Sequence, residues 1–355
     1  MSEYGLVCSR LKKAAGRITI DVDFSVAKGE LVSVIGPEGS GKSTLLRLIC
    51  GLDTPDSGTV SIDGTDVTAL PPEKRSTAVI LPDYAIFPNM SIEQNIVYPL
   101  GSRRLSKEEK TAEARRLMDL VNLTGAEKKK PSELSDEERF RVALARAIAG
   151  QPDILLMDDT LSALDNKTRK SLRSDIRDIQ TRTGITMIFA SGEQEEALCI
   201  SDRVFVLRSG MIEQSGSPED IYRRPVSEFS ARFTGEVNIL PYDVILRTLR
   251  VPETERSKVI YQCFGPEHRL VFRPEDMVVN DMPGLPFPEF YPHLRFENAR
   301  IIRTEYLGKE YLVTAQYEGM VIKVYTVYKP ASDYITAGIR MTKILEFNDG
   351  KMIRH

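Results

Sequence analysis

The period of the apolar positions changes several times along the chain, and each change marks an element. Ile18-Thr-Ile-Asp-Val-Asp-Phe24 alternates apolar and polar residues before a turn at Lys28-Gly-Glu30, so residues 1–30 read as paired strands. Leu31-Val-Ser-Val-Ile35 is a short apolar run of strand type, after which Leu45, Leu46, Leu48 and Ile49 recur at helical spacing. Thr59-Val-Ser-Ile62 and Ala78-Val-Ile-Leu81 predict two more short strands. Residues 106–123 mix charges with apolar positions at helical period, the pattern of an amphipathic surface helix. A second helix is expected to begin near Ser135 and continue through residues 141–148. Ile154-Leu-Leu-Met157 and Thr186-Met-Ile-Phe-Ala190 read as buried strands. Val204-Phe-Val-Leu207 and Met211-Ile-Glu-Gln214 read as a hairpin across Ser209-Gly210, and residues 218–233 as helical. Strands alternating with helices imply a doubly wound α/β domain.

After about Gly235 the texture changes. Residues 300–306, 311–317 and 321–327 are rich in Val, Ile, Tyr and Phe with little helical period, which predicts a small all-β domain of barrel type. The expected division is 1–235 and 236–355. A chain of 355 residues accommodates two such domains.

Composition narrows the function by exclusion. A formal net charge of −3 leaves no electrostatic footprint for nucleic acid. Cys8, Cys50, Cys199 and Cys263 form no C-x-x-C pair, so neither a zinc site nor a disulfide framework is indicated. Cys50 falls on the apolar face of its helix and reads as a small core residue. No signal peptide and no apolar run approaching about 18 residues is present, so the protein is expected to be soluble and cytoplasmic, with any membrane role exercised through a partner.

The strongest chemical signal lies between the first apolar run and its helix. Gly36, Pro37, Glu38, Gly39, Ser40, Gly41, Lys42, Ser43 and Thr44 fit the phosphate-loop pattern G-x-x-x-x-G-K-[ST], with a strand before it and a helix after. The glycines let backbone N–H groups curl around a polyphosphate where a Cβ would intrude. A helix N-terminus adds partial positive charge. Lys42 is placed to reach the β- and γ-phosphates and the Ser43 hydroxyl to ligate Mg2+, so a nucleoside triphosphate with Mg2+ is the expected ligand.

Further segments follow in order: Tyr84-Ala-Ile-Phe-Pro-Asn-Met90 with Asn95-Ile96, Pro131-Ser-Glu-Leu-Ser135, Arg141-Val-Ala-Leu-Ala-Arg-Ala147, Ile154-Leu-Leu-Met-Asp158, Leu161-Ser-Ala-Leu-Asp165, Gln194-Glu-Glu-Ala-Leu198, Ser201-Asp-Arg203, Pro218-Glu-Asp-Ile-Tyr222 and Phe272-Arg-Pro-Glu275. In this order and spacing the whole chain resembles the ATP-binding subunit of an ABC transporter. More narrowly it resembles importer subunits for sugars, ferric iron, polyamines or oxyanions that carry an OB-like regulatory domain. The resemblance implies a P-loop NTPase fold with a helical subdomain over about residues 88–150. It implies a dimer in which ATP lies between the phosphate loop of one subunit and the signature segment of another. It also implies membrane permease subunits docking near residues 84–90.

Several active-site positions depart from that family's pattern. Its Leu-Ser-Gly-Gly-Gln signature here reads Leu134-Ser-Asp-Glu-Glu138. Ser-x-x-Glu is a good capping box, and acids in a first turn suit the helix dipole. Asp136, Glu137 and Glu138 would nevertheless face a triphosphate, which makes Ser135 a poor contact in trans. The family's coupling-loop glutamine falls at Pro82, with Asp83 as the nearest substitute. The metal-holding aspartate is matched by Asp158, but the following glutamate is Asp159, a base one methylene shorter. The switch histidine aligns with Gly192; the chain's three histidines, His268, His293 and His355, all lie in the second domain. No adenine-stacking aromatic occurs between Leu11 and Ile20, and Tyr4 is a distant candidate. The groups that bind nucleotide are intact and those that complete hydrolysis are altered. This pattern fits an importer subunit with slow or partner-dependent turnover, as a homodimer or heterodimer. A non-hydrolysing nucleotide sensor is the alternative.

Overall fold

The computed structural model describes residues 3–241, 244, 268–280 and 293–354. Cys263 and His355 lie outside them. Two compact units divide the chain, Met1–Ile221 and Tyr222–His355.

In the first unit, β1 (Tyr4–Ala15) and β2 (Ile18–Ala27) form a hairpin. β3 (Leu31–Ile35) leads into α1 (Lys42–Cys50), and β4 (Ser57–Ile62), β5 (Thr65–Asp66) and β6 (Thr77–Ile80) follow. Three helices come next, α2 (Ile92–Val97), α3 (Lys107–Leu120) and α4 (Asp136–Ala149). The unit continues through β7 (Ile154–Asp158), α5 (Asn166–Thr183), β8 (Thr186–Ser191), α6 (Gln194–Ile200), β9 (Arg203–Arg208), β10 (Met211–Gly216) and into α7 (Pro218–Arg223). Its main sheet has the order β10-β9-β3-β8-β7-β6, parallel except at β10. Every residue of β3, β7 and β8 is buried, as a parallel sheet covered on both faces requires.

The doubly wound expectation changes in one respect. β1, β2, β4 and β5 do not join that sheet but form a second, antiparallel one of order β2-β1-β4-β5. Half-polar strands such as β2, whose buried residues Ile20, Val22 and Val26 share one face, have only one apolar side to offer. That side packs with Leu45, Leu46, Leu48 and Ile49 of α1 and with Val32 and Val34 of β3 in one core. The phosphate-loop helix is thus enclosed between two sheets. A second core on the other face joins Leu155 and Phe189 to Phe140, Leu144, Leu117 and Met118 of the helical region.

Among the described residues α5 is the longest helix and its apolar pattern is sparse; Leu172, Ile176 and Ile179, with Arg173 and Gln180 beside them, supply a narrow buried stripe. β6 stops at Ile80, and Leu81 is 36% exposed rather than buried. The turn at Ser209 and Gly210 has φ of 49° and 85°, the left-handed pair that matches the twist of a two-residue hairpin. Among the described residues, no helix is long and apolar enough to cross a membrane.

The second unit takes in α8 (Glu228–Phe233), so the single helix expected over residues 218–233 is two, broken near Pro225. It continues with β11 (Asn238–Pro241), β12 (His268–Phe272), β13 (Met277–Asn280), β14 (His293–Tyr306), β15 (Tyr311–Tyr317), β16 (Met320–Thr326), β17 (Tyr334–Arg340), β18 (Leu345–Asn348) and β19 (Lys351–Arg354). The sheets run β11-β12-β18-β19 and β13-β17-β14-β15-β16, an OB-like all-β arrangement. Residues 222–235 belong to this unit, ahead of the change in texture at Gly235. The reason is Arg273, 7% exposed, which donates to the carbonyls of Tyr222, Ala231 and Glu236 and to the Thr234 hydroxyl, with its guanidinium over the Tyr222 ring.

Candidate functional site

Residues 36–41 turn the chain from the carboxyl edge of the main sheet into the N-terminus of α1. Gly39 and Gly41 have φ of 74° and 105°, open to glycine and strained for other residues. A Cβ at Gly36 would stand 2.2 Å from the Leu207 carbonyl oxygen, and one at Gly41 2.5 Å from Ile20 Cδ1. A Cβ at Gly39 would meet nothing, so the lip of the loop is open to a ligand. The Gly210 amide donates to Ser40 O at 2.9 Å and ties the loop to the β9–β10 turn. Ser40 Oγ is buried without a hydrogen-bond partner. This cradle fits a polyphosphate.

Lys42 Nζ donates to Gly36 O at 2.7 Å and Pro37 O at 3.0 Å, so the ammonium lies folded within the loop. Burial pulls its pKa below the usual lysine value, against the attraction of Asp159 and Asp158. Ser43 Oγ donates to Asp158 Oδ1 at 2.9 Å. Burial raises the Asp158 carboxyl above its ordinary range, and the Ser43 hydroxyl opposes it. An adjacent hydroxyl and carboxylate are the hard oxygen donors a Mg2+ ion takes in such a loop.

Register brings the remaining positions to the same edge. Ile35 pairs with Ser191, and Asp158 with Ala190. The chain therefore leaves β3 at Gly36, β7 at Asp159 and β8 at Gly192, on three neighbouring strands, where open α/β sheets bind their ligands. Asp159 has φ of 47°, and its amide donates to Ala190 O at 2.9 Å.

Pro82 lies in the exposed turn after β6. Asp83, the nearest substitute for the absent glutamine, acts on the charge of Arg146. Arg146 itself donates to Ala85 O at 2.7 Å and Tyr84 O at 2.9 Å and stands over the Phe87 ring. Tyr84 Oη donates to Thr160 O at 3.0 Å, and Asn95 bonds the Phe87 backbone, so the segment over residues 84–90 is held directly against the loop after Asp159. Sequence reasoning did not find that link.

At the signature, Ser135 Oγ accepts from the Glu138 amide at 3.2 Å and Glu138 Oε2 accepts from the Ser135 amide at 2.8 Å, a complete capping box. The three acids are not left facing outward without a partner. Asp136 pairs with Arg139 at 3.2 Å, Glu137 with Arg141 at 2.8 Å, and Glu138 lies 3.7 Å from Lys129. Cations of the same chain thus offset part of the acids' charge. Replacing Asp136 and Glu137 with Gly and Glu138 with Gln should cost about 2 kcal/mol, from the two helical glycines more than from exposed ion pairs, since Gln at the third position still completes the capping box. Urea denaturation measures it, and an unchanged midpoint would contradict the assignment.

Tyr4 is not at this edge. β1 and β2 run antiparallel with Tyr4 opposite Ala27, while Ile18, at the other end of β2, has its Cδ1 3.0 Å from where a Gly41 Cβ would stand. Tyr4 is thereby roughly 30 Å away at about 3.3 Å per residue. Ile18 and Ile20, which sequence reasoning passed over, flank the phosphate loop instead.

Fold and edge together define a P-loop nucleotide-binding ATPase. Residues 19–162 match the family described as ABC transporter, a span that includes the loop, the signature and both aspartates. An Fe(3+) ions import ATP-binding protein of Agrobacterium fabrum is 37% identical over 313 residues, covering 85% of this chain and 85% of that one. A sulfate/thiosulfate import ATP-binding protein of Chromobacterium violaceum is 48% identical over 218 residues, 61% of this chain and 59% of its own length. A solved ATP-binding cassette, a dimer in a post-hydrolysis state bound to ADP and Pi, is 27% identical with a TM-score of 0.53, over 60% of this chain and 98% of that one. The chain belongs to the ABC transporter family, as an ATP-binding subunit of the importer type.

Proposed function

We propose that this chain couples ATP binding, and a slow hydrolysis, to solute import through separate membrane subunits. It works at the inner face of the membrane, as a dimer with a second ATP-binding subunit, itself or another chain. The observation that carries the reading is the meeting of Lys42, Ser43 and Asp158 at one sheet edge, with Ser43 Oγ 2.9 Å from Asp158 Oδ1. MgATP, when bound, supplies the γ-phosphoryl group that water accepts. The backbone amides of residues 36–44 and the α1 N-terminus hold its phosphates. Lys42 exchanges its two carbonyl partners for phosphate oxygens. Ser43 and Asp158 would hold Mg2+, which would neutralise phosphate charge, and Asp159 would orient the attacking water as a shortened base. Ser135 of a partner's signature meets the nucleotide weakly in a homodimer. Residues 84–90 receive the permease, and Tyr84, bonded to Thr160 O, carries that contact to the catalytic loop.

The test is steady-state ATP hydrolysis by the full chain beside its affinity for MgATP. Slow turnover with tight binding is expected, and absence of binding would sink the reading. Gly192 is exposed, its backbone is outside the left-handed region, and a Cβ there meets no atom within 4 Å. Gly192→His is therefore expected to leave the melting temperature unchanged and to raise turnover by about tenfold, less than the ~10²-fold or more of a fully positioned proton-transfer group. Unchanged turnover would show that another group limits the rate.

A further inference from the structure

Ser191 ends β8 in the middle of the main sheet, fully buried, and its neighbours on either side lead into the phosphate loop and Asp158. Its Oγ donates to Glu196 Oε2 at 2.6 Å and accepts from the Glu193 amide at 3.0 Å. Glu196, in α6, is only 3% exposed. Its other oxygen, Oε1, makes no hydrogen bond, and the nearest guanidinium nitrogen, on Arg169, is 3.8 Å away. A carboxylate buried with so few partners costs stability, and burial duly pushes its pKa up. An apolar residue would pack in that place at lower cost, so the acid is held for its geometry.

The structure assigns Glu196 as a positioning residue of the catalytic edge: through Ser191 it clamps the turn Ser191-Gly192-Glu193, and through the Ala190 carbonyl that turn holds Asp159 in its left-handed conformation. The role of Asp159 rests on the proposed function; the clamp does not. Three facts connect the chain of contacts. Glu196 and Ser191 share a short hydrogen bond, Ser191 fixes the Glu193 amide across Gly192, and Ala190, covalently next to Ser191, accepts from the Asp159 amide at 2.9 Å. Gly192 lends the turn no side chain, so its path rests on the clamp and on the exposed contact of Glu193 with Arg169, at 3.7 Å.

The experiment uses the full chain with Glu196→Ala, Glu196→Gln and Ser191→Ala. Amide hydrogen exchange at Asp159 and Glu193 is read by NMR, with amides of α1 as the internal reference, beside kcat and KM for ATP. Glu196→Ala and Ser191→Ala should each speed exchange at Asp159 and Glu193 by about tenfold or more while α1 is unchanged. In both, kcat should fall by about tenfold with the MgATP affinity retained. Glu196→Gln keeps an acceptor oxygen and should restore both readouts. Exchange at Asp159 unaffected by Glu196→Ala, or accelerated equally throughout α1, would overturn the proposal. So would Glu196→Gln behaving like Glu196→Ala. If the parent chain binds MgATP without turnover, the exchange arm alone decides the clamp; if it does not bind MgATP, the proposed function fails and the exchange arm still decides the clamp.

Discussion

Lys42→Ala will weaken MgATP binding by about a hundredfold or more and abolish turnover, with the unfolding midpoint nearly unchanged. The ammonium is the one cation folded into the phosphate loop, and it shares that space with the charges of Asp159, Asp158 and Glu38. Burial lowers its pKa and the carboxylates counter that. Without it, a polyphosphate would meet three carboxylates and only neutral backbone donors. At a surface-like dielectric, one charge–charge contact is worth on the order of 4 kcal/mol near 4 Å, enough for more than a hundredfold in affinity. Stability should hardly move, because the loss of two hydrogen bonds to loop carbonyls is offset by no longer desolvating the ammonium. Isothermal titration calorimetry with MgATP checks the binding. Parent-like affinity in the variant would remove the loop from the nucleotide site.

The largest effect on stability is expected at Arg75. Its side chain is 2% exposed and donates to four carbonyls: Leu70 at 2.8 Å, Leu48 at 2.8 Å, Ile49 at 3.1 Å and Thr68 at 2.7 Å. Leu48 and Ile49 lie in the last turn of α1, where a helix leaves its carbonyls unpaired and favours a cation. Gly51 then ends the helix with φ of 83°, and a Cβ there would stand 2.4 Å from Arg75 Nε, so the glycine makes room for the guanidinium. Arg75→Ala empties this volume and strands buried carbonyls, a loss of about 3–5 kcal/mol by urea denaturation. Lysine cannot reproduce the planar fork, and Arg75→Lys should recover only part of it. Since α1 carries the phosphate loop at its other end, KM for ATP should rise in the variant. A loss below about 1 kcal/mol would mean the carbonyls find water instead.

The contrast between these residues shows what could be read from the chain alone. Lys42 announces itself because the phosphate loop is local: glycines, cation, hydroxyl, strand and helix all lie within one stretch of sequence. The same holds for the Ser135–Glu138 capping box, whose two hydrogen bonds span one turn, and for the Ser209-Gly210 hairpin. No local pattern marks Arg75, since its partners come from α1 and from the segment after β5. α5 escaped apolar periodicity because only three of its buried residues, Leu172, Ile176 and Ile179, are apolar in a charged helix. Tyr4 could not be excluded until strand register put it at the far end of the hairpin from Ile18.

The sequence by itself determined the period of each element, the caps, the phosphate loop and the family, because these depend on neighbours within a few positions. Tertiary structure decided which face each strand gives to which core, and so placed β1, β2, β4 and β5 in a sheet of their own. It also drew residues 222–235 to the second unit through Arg273, paired the signature acids with cations of the same chain, and set Ser191 and Glu196 behind Asp159. Each of these rests on contacts between residues far apart in the chain. Their pairing follows from strand register and from how the layers share their apolar faces, and no local pattern encodes either.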